Sequence, residues 1–426
     1  MIRAGKILKR LTIVFLSVAA VFAVVWIAAV LSVLLNRTSH DVRPQGRGAA
    51  TRDPRTQPFA SWSIWNLPIG AGSRLRPANI KDWSTYGVIL EDVYVFNNAP
   101  GFVPTDVVGN MTGWGEGSRC EENWPRFWAY FRNGSIFGVR LPLPPRFTIA
   151  DRTNRDTPNN PAAILSADGR RYYQTQPLTR CTQTDPWTAL PYDVTVVDID
   201  GDGIRGNQGG SHLSSIGGTI RAGEWRSARA SGSFRHALKT VLDPRNYGRS
   251  IGPDCWFPGC RWPAVSSDCL RACGYVGGSA QSHVKMGSLL SLEPDYDCDR
   301  LQTEPGRILC RTIKDYGMYV VDSGWDPAYL PVEHGPAGSA DREFGIEFGF
   351  NMRDANPASP WSRDWRQIVT ATSVVDNWDR ALYEHVRVSA GLLGAGGGAP
   401  RVPWSPDPCP GPCVEAESNA VKAAPR

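Results

Sequence analysis

An uncharged apolar segment near the amino terminus is the feature that most constrains this chain. Residues 11–35 contain no acidic or basic side chain, and their length suits a tilted helix across a lipid bilayer. The residues before the segment carry four positive charges, on Arg3, Lys6, Lys9 and Arg10. By the positive-inside rule these charges stay in the cytoplasm, so the rest of the chain is placed outside it.

A cleaved signal peptide is the alternative interpretation of this segment. Signal peptides usually have a shorter apolar region that ends at a cleavage site of small residues, and residues 32–37 contain no clear site of that kind. We therefore predict an uncleaved signal anchor over residues 11–35, after a cytoplasmic basic segment over residues 1–10. The protein is expected in the cell membrane, with a single pass and an extracytoplasmic body.

The number and position of the cysteines favour export. All ten follow the apolar segment, and an even number of cysteines in an exported chain predicts disulfide bonds. Three pairs are close enough in sequence to close local loops: Cys255 with Cys260, Cys269 with Cys273, and Cys409 with Cys413. The full connectivity does not follow from spacing. A zinc site is the weaker interpretation, since the chain lacks the Cys-x-x-Cys spacing that such sites favour.

Charge and composition divide the remainder of the chain. The formal net charge is +5, and the basic residues before the anchor account for most of it, so we predict no nucleic-acid partner. Residues 36–58 are rich in Arg, Pro, Gly and Thr and predict a flexible stalk. Residues 387–426 predict a low-complexity tail, which leaves residues 59–386 as the extracytoplasmic domain.

Short β-type runs dominate that domain. Residues 88–96 and 194–199 predict strands, and Asn133-Gly134 and Asp168-Gly169 each predict the turn of a β-hairpin. Thr303, with Pro305 in the first turn, and Ser359, followed by Pro360, predict the starts of two short helices. Residues 242–310 are predicted to form a disulfide-rich loop region. The pattern predicts a mainly β domain, a β-sandwich or a jelly-roll-like fold.

Residues 209–238 gather glycines, histidines, arginines and one carboxylate between β-type runs. They form either the wall of a site or a glycine-rich connection between strands. A glycoside hydrolase needs two carboxyl groups across the scissile bond, and we predict Glu224 and Asp322 for that role. The alternative is that both are ordinary acids at strand ends.

His236 supports a second kind of chemistry. A polysaccharide lyase would use it as base, together with a tyrosine and a cation that neutralises a uronate carboxylate. The candidates for the latter two roles are Tyr316 or Tyr319, and Arg221, Arg235 or Lys285. A structural histidine is the alternative, and His212 is a weaker candidate for the base.

Aromatic and basic side chains near these acids predict contacts to sugar. Tryptophan is abundant, with 16 in the chain, and its ring stacks readily on sugars. The predicted substrate-binding residues are Arg221, Trp225, Arg235, Trp262, Tyr319 and Trp325. Each tryptophan has an alternative role in the core.

A run of alternating aspartates resembles the first half of a calcium loop. Its residues are Asp198, Asp200 and Asp202, followed by Gly203. Calcium loops need a bidentate glutamate at their twelfth position, and Gly209 stands there in this chain. The remaining hypothesis is a structural calcium ion that is bound through other ligands. No other cofactor is predicted.

Several segments together resemble an uncharacterised group of exported bacterial, mainly β proteins. They are residues 65–70 (WNLPIG), 210–224 (GSHLSSIGGTIRAGE), 235–238 (RHAL), 261–264 (RWPA), 286–290 (MGSLL), 315–322 (DYGMYVVD) and 374–378 (VVDNW). The resemblance implies a secreted or envelope-associated bacterial protein. It implies no activity, because no established reaction belongs to the group.

These observations predict a membrane-anchored extracytoplasmic carbohydrate-active enzyme, a polysaccharide hydrolase in preference to a lyase. Its partner would be a polysaccharide or a cell-envelope glycan. The alternative is a non-catalytic surface protein that binds glycan or envelope material. A third hypothesis is a purely structural component of the envelope. The chain contains no Gly-x-Ser-x-Gly elbow, phosphate-binding loop or dinucleotide fingerprint.

Overall fold

The computed structural model describes a large part of the chain after the predicted stalk. The described residues are 57–70, 72–83, 85–123, 134–153, 158–248, 255, 259–268, 282–324 and 328–392. None of the helices among them is long and apolar enough to cross a membrane. The predicted anchor at residues 11–35 lies outside the described residues, as do Trp325 and most of the predicted stalk and tail.

Short strands form most of the regular structure in the described residues. They are β1 (Leu75–Pro77), β2 (Ile89–Phe96), β3 (Val103–Thr105), β4 (Val107–Gly109), β5 (Leu141–Leu143), β6 (Ala162–Leu165), β7 (Arg171–Thr175), β8 (Trp187–Ala189), β9 (Val194–Asp198), β10 (Arg205–Gln208), β11 (Leu238–Leu242), β12 (Leu289–Ser291), β13 (Met318–Ser323), β14 (Ala328–Gly335), β15 (Gly338–Ser339) and β16 (Ser373–Val375).

Five α-helices accompany these strands in the same residues. They are α1 (Glu224–Ser231), α2 (Glu304–Asp315), α3 (Ala340–Phe348), α4 (Pro360–Thr370) and α5 (Arg380–Leu392). A 3₁₀ turn over Gly209–Ser211 follows β10.

Eleven strands form one sheet, in the order β1-β16-β12-β13-β11-β14-β2-β6-β7-β9, with β15 paired to β14. The sheet is mixed: β11 runs parallel to β13, and β2 runs parallel to both β14 and β6. The mainly β prediction is therefore confirmed. A jelly roll is antiparallel, so the finer prediction of a sandwich or jelly roll is not confirmed.

Both faces of the sheet are covered. Helices α1 to α4 pack on one face, where Trp225, Phe344 and Trp365 belong to a single buried cluster. On the other face lie the segment around Trp65, the connection that follows β10, and α5. A sheet covered on both sides tolerates few buried charges, so those it contains need specific partners.

Several local predictions are confirmed. The Asp168-Gly169 turn joins β6 to β7, and Thr303 caps α2 by accepting the Gly306 N–H at 3.1 Å. Helices α1, α3 and α5 were not predicted from the sequence. Glu224 was expected at the end of a strand, but Gly223, in left-handed backbone at φ 92°, turns the chain directly into α1.

Disulfides join three pairs of cysteines among the described residues: Cys120 with Cys181, Cys255 with Cys260, and Cys298 with Cys310. The predicted local pair of Cys255 and Cys260 is thus confirmed. The other two predicted local pairs lie outside the described residues.

Candidate functional site

The acids predicted to act as a pair lie in two different clusters. Glu224 contacts His236, which precedes β11, whereas Asp322 at the end of β13 lies opposite Val241 of β11. Glu224 accepts from the Arg221 N–H and contacts His236, whereas Asp322 accepts from Asn159 and the Gly210 N–H. The two acids thus belong to different hydrogen-bond networks, and their predicted pairing across a glycosidic bond stays a prediction.

The cluster around Glu224 is an ion-pair network. Nε2 of His236 lies 3.1 and 3.2 Å from the two carboxyl oxygens of Glu224, and its Nδ1 lies 2.9 Å from the carbonyl oxygen of Ala237. Nε of Arg221 lies 3.8 Å from the same carboxyl group, and its side chain is 3% exposed. Both histidine nitrogens thus face acceptors.

Carboxylates in this cluster also bind backbone N–H groups at the start of α1. Arg221 N–H donates to Glu224 at 2.7 Å, and Ala222 N–H donates to Glu333 at 3.1 Å. The two oxygens of Glu343 accept from the N–H groups of Gly223 at 2.6 Å and Arg226 at 3.0 Å. These N–H groups have no partner within the helix, so the acids act as its cap.

The pKa shifts in this cluster fit a structural role. Burial raises the pKa of Glu224, but the charges of His236 and Arg221 outweigh burial and lower it overall. The carboxylate is therefore held ionised, which is the wrong state for a general acid. Burial raises the pKa of Glu333 to about 7, with contributions from Glu224 and Glu343.

The second cluster brings three carboxyl groups together, on Glu91, Asp268 and Asp322. Asn159 bridges two of them, because its Nδ2 donates to Glu91 at 2.9 Å and to Asp322 at 2.8 Å. Two oxygens so close to one nitrogen are at most about 6 Å apart, a spacing that suits paired carboxyl catalysis. We call this set the acid cluster.

The orientation of the Asn159 amide is fixed from outside the acid cluster. Nε1 of Trp114 donates to Oδ1 of Asn159 at 3.0 Å. An indole N–H can only donate, so the amide oxygen must face Trp114 and the amide nitrogen must face the acids. Trp114 is 44% exposed, which makes it an aromatic surface connected to buried carboxyl groups through one side chain.

One buried cation faces the acid cluster. Nζ of Lys239 donates to Gln208 Oε1 at 2.7 Å and to the carbonyl oxygens of Ser215 at 2.6 Å and Ser214 at 3.3 Å. Gln208 in turn donates to Glu91 at 2.6 Å. Burial lowers the pKa of Lys239, but three acceptors match the three protons of an ammonium group.

A glycine turn closes the acid cluster on one side. Gly210 N–H donates to Asp322 at 3.1 Å, and a Cβ at Gly209 would lie 2.0 Å from the carboxyl carbon of Asp322. A Cβ at Gly210 would lie 2.5 Å from both the backbone N and Oδ1 of Asp268. The register of β11 on β13 shifts beside Asp322, a feature that often re-aims a side chain next to a site.

Burial raises the pKa of every acid in the acid cluster. For Asp322 the pKa rises well above its usual value, first through burial and then through the charges of Asp268 and Glu91. The pKa values of Glu91 and Asp268 are also raised, mainly by burial. The charge of Lys239 lowers the pKa of Glu91, but burial outweighs it.

Three of the predicted sugar-binding residues, Arg221, Trp225 and Tyr319, are buried in the structure. Trp225 is fully buried against Phe234 and Phe344, and Tyr319 is fully buried and accepts the Trp378 indole N–H. Those two residues cannot stack on a polysaccharide, so their predicted role is wrong. Trp262 packs in an aromatic cluster with Trp378 and Tyr383, and Arg235 is exposed.

The predicted calcium ligands do not converge. Asp198 pairs with Arg171 at 3.2 Å, and Asp202 accepts the N–H of Ile204 in its own turn. In the part of the chain that the structure describes, potential ligand atoms of three residues approach within 4.8 Å only at Cys120, Asp151 and Cys181. Both of those cysteines belong to a disulfide.

A cavity of about 420 Å³ lies elsewhere, beside α2. Its walls include Tyr296, Asp297 and Arg311, and no residue of the acid cluster contributes to it. The cavity therefore adds nothing to the chemistry of the carboxyl groups.

Glu91, Trp114, Asn159 and Lys239 were not among the residues predicted for the site. The sequence contains a signal for two of them: Glu91 and its neighbour Asp92 interrupt a strand whose other residues are apolar or aromatic, and Lys239 lies in the fully buried strand β11. A charge inside a buried strand marks a network or a site. Asn159 and Trp114 lie in loops, where sequence patterns carry no such signal.

Comparisons with protein-family models, with curated proteins and with solved structures found no match for this chain.

Proposed function

We propose that the protein is an extracytoplasmic carbohydrate-active enzyme, a polysaccharide hydrolase, with its reaction centre at the acid cluster. The observation that carries the proposal is the Asn159 bridge, which connects two buried carboxyl groups to an exposed tryptophan. Hydrolysis of a glycosidic bond needs a protonated carboxyl group to protonate the leaving oxygen. The predicted membrane anchor and a glycan partner in the cell envelope belong to this proposal.

Asp322 is the proposed general acid. It lies at a strand end, and burial together with two neighbouring acids disfavours its ionised form. Glu91 is connected through Gln208 to Lys239, whose charge lowers the pKa of Glu91 without offsetting its burial. Asp322 has two acids as its nearest charged neighbours, so of the two carboxyl groups it is the better candidate to carry a proton.

Trp114 is the proposed sugar platform. Its indole ring is partly exposed, and its N–H bond to Asn159 holds it beside the carboxyl groups. A sugar stacked on the ring would lie next to the acid cluster.

The test is a polysaccharide screen with purified full-length protein in detergent. New reducing ends are measured beside the ultraviolet absorbance of an unsaturated uronate. We expect reducing ends without absorbance, and a loss of about 10²- to 10⁴-fold in kcat for Asp322→Asn. Asp198→Asn is the matched control, because Asp198 pairs with Arg171 away from the acid cluster.

Three results would contradict the proposal. Equal turnover in Asp322→Asn and the parent protein would exclude Asp322 as the acid. Absorbance that rises with the reducing ends would mean lyase chemistry. Retention of a glycan without any turnover would mean a non-catalytic binding protein.

A further inference from the structure

Trp83 is an exposed tryptophan that packs against the turn after β11. Its side chain is 41% exposed, and the guanidinium carbon of Arg245 lies 4.2 Å from the centroid of its indole ring. Arg245 belongs to the 3₁₀ turn Pro244–Asn246. A cation over a tryptophan ring is attracted by the negative face of the ring, so this contact holds the ring against the turn.

A buried acid fixes the arginine in turn. Nε of Arg245 lies 2.9 and 3.0 Å from the two carboxyl oxygens of Asp243, and Nη2 lies 2.5 Å from the second of these oxygens. The side chain of Asp243 is 3% exposed. A guanidinium group that pairs with a carboxylate through two nitrogen atoms has a defined orientation, so Asp243 sets the plane that covers Trp83.

The chain immediately before Trp83 is anchored as well. Asn246 accepts the Lys81 N–H at 2.9 Å and donates to the Lys81 carbonyl oxygen at 3.3 Å. Asp82 forms an ion pair with Arg366 of α4. The segment is therefore held through its backbone, through a carboxylate and through the ring of Trp83.

The turn that holds Trp83 also contacts the acid cluster. Tyr247 directly follows the turn, and its hydroxyl group donates to the backbone oxygen of Asp322 at 2.6 Å. Val241, two residues before Asp243, lies opposite Asp322 in the parallel pairing of β11 and β13. Trp83 and the proposed general acid are therefore attached to the same end of the sheet.

Trp83 is both exposed and held in place, which suits a tryptophan that binds a ligand. Its indole ring presents a large apolar surface to solvent. Because the protein already restricts the ring, binding of a ligand costs little further conformational entropy. The apolar faces of sugar rings stack on such surfaces, so a glycan of the kind that the proposed function requires fits this position.

Charge pairing around Trp83 favours neutral sugars over acidic ones. Arg245 is paired with Asp243, and Arg366 is paired with Asp82. An anionic group would have to displace a carboxylate that is already bound, whereas a neutral sugar leaves both ion pairs in place. Lys81 is exposed, and an ion pair with an exposed ammonium group contributes little.

We propose that Trp83 is a second glycan-binding platform, which binds neutral sugar rings and is held in place by Arg245 and Asp243. The choice of a glycan as the ligand rests on the proposed function. The platform adds a binding site outside the acid cluster and names the substrate class. A chain of neutral sugars has no uronate carboxylate for a lyase to neutralise, which agrees with hydrolysis.

The test is the retardation of purified full-length protein in native detergent gels that contain one soluble glycan. The neutral glycans are xyloglucan, galactomannan and laminarin, and the acidic ones are polygalacturonate and hyaluronate. We expect a neutral glycan to retard the parent protein. Trp83→Ala should weaken that binding roughly tenfold, the effect of losing one aromatic anchor. Added salt should change the affinity little, because a neutral sugar forms no ion pair.

Three further variants show whether the ring and its orientation matter. Trp83→Phe keeps an aromatic face and should retain most of the binding. Arg245→Lys keeps a positive charge beside Asp243 but loses the planar group over the ring, so its affinity should lie between those of Trp83→Ala and the parent protein. Tyr192→Ala is the matched control, because it removes another exposed aromatic side chain and should leave the affinity unchanged.

The results separate this platform from the function on which it rests. Equal affinity in Trp83→Ala and the parent protein, or a parent protein that binds none of the glycans, would overturn the platform. Turnover in the polysaccharide screen would leave the hydrolase function standing in either case. A preference for acidic glycans that falls steeply with salt would overturn the assignment to neutral sugars. Binding that depends on Trp83 in a protein without turnover would remove the hydrolase function and keep the platform.

Discussion

The Glu224 cluster and the acid cluster both contain three carboxyl groups, yet they use them in opposite ways. In the first, the carboxylates accept backbone N–H groups and face an arginine and a histidine. In the second, the acids lie close to one another, and the charge of Lys239 does not offset the burial of Glu91. The first set stabilises the start of a helix, and the second consists of acids whose pKa values are raised.

The difference shows that proximity of acids is not by itself a catalytic signal. What matters for a given carboxyl group is whether positive partners outweigh the effect of its burial. Glu224 has them, and its pKa is lowered. Asp322 does not, and its pKa is raised. Residues of the second kind are the better candidates for acid–base chemistry.

Glu224→Ala should have the largest effect on stability. It removes the acceptor of the Arg221 N–H and leaves the buried Arg221 guanidinium and the His236 ring without this partner. We expect a loss of about 3–5 kcal/mol in the free energy of unfolding, measured with urea, and unchanged turnover per folded molecule. A fully folded variant without turnover would contradict the purely structural role that we assign to Glu224.

Glu333→Gln should stabilise the protein above neutral pH. The pKa of Glu333 is raised from 4.5 to about 7, so the folded state loses stability as pH rises through that interval. Glutamine keeps an acceptor for the Ala222 N–H and removes this loss, an effect of up to about 3 kcal/mol at pH 8. Urea unfolding at pH 5 and pH 8 measures it, and an equal change at both values would contradict the shift.

Gly210→Ala should damage the acid cluster more than Gly223→Ala damages the other. A Cβ at Gly210 meets the backbone N of Asp268 at 2.5 Å, which costs about 1–3 kcal/mol and displaces the turn beside Asp322. Gly223→Ala meets nothing within 4 Å but is strained at φ 92°, at a cost of about 1–2 kcal/mol. We expect thermal unfolding to detect both and turnover to fall only in Gly210→Ala.

Trp114→Phe should have the smallest effect on stability. The ring remains, while the N–H bond that orients Asn159 is lost, so we expect a change of less than about 1.5 kcal/mol. The pH profile of turnover should shift, because the amide is then free to rotate against Glu91 and Asp322. Trp114→Ala controls for stacking and should additionally weaken glycan binding.

Much of the local structure was predictable from sequence. The Thr303 cap and the proline in the first turn of α2, and the Asp-Gly turn between β6 and β7, determine structure only within a few residues of themselves. The order of the strands depends on contacts between distant segments. Sequence periodicity therefore predicted strands without showing that β2, β11 and β14 meet in one mixed sheet.

The candidate site was predictable only in part. Asp322 and His236 were both found from sequence, but their pairing with other residues was not. Asn159 and Glu91 reach Asp322 through the sheet order, which brings segments 163 and 231 residues away beside it. Trp225 and Tyr319 were assigned to the surface because their turn and strand contexts gave no information on which side they face.

The most direct test of the central claim is the protonation state of Asp322. Infrared difference spectra between the parent protein and Asp322→Asn at pH 7 isolate the carboxyl band of this one residue. We predict the carbonyl stretch of a protonated carboxylic acid, which shifts in deuterium oxide. A carboxylate band alone would show that Asp322 is ionised, and the acid cluster would then have no proton to donate from this residue.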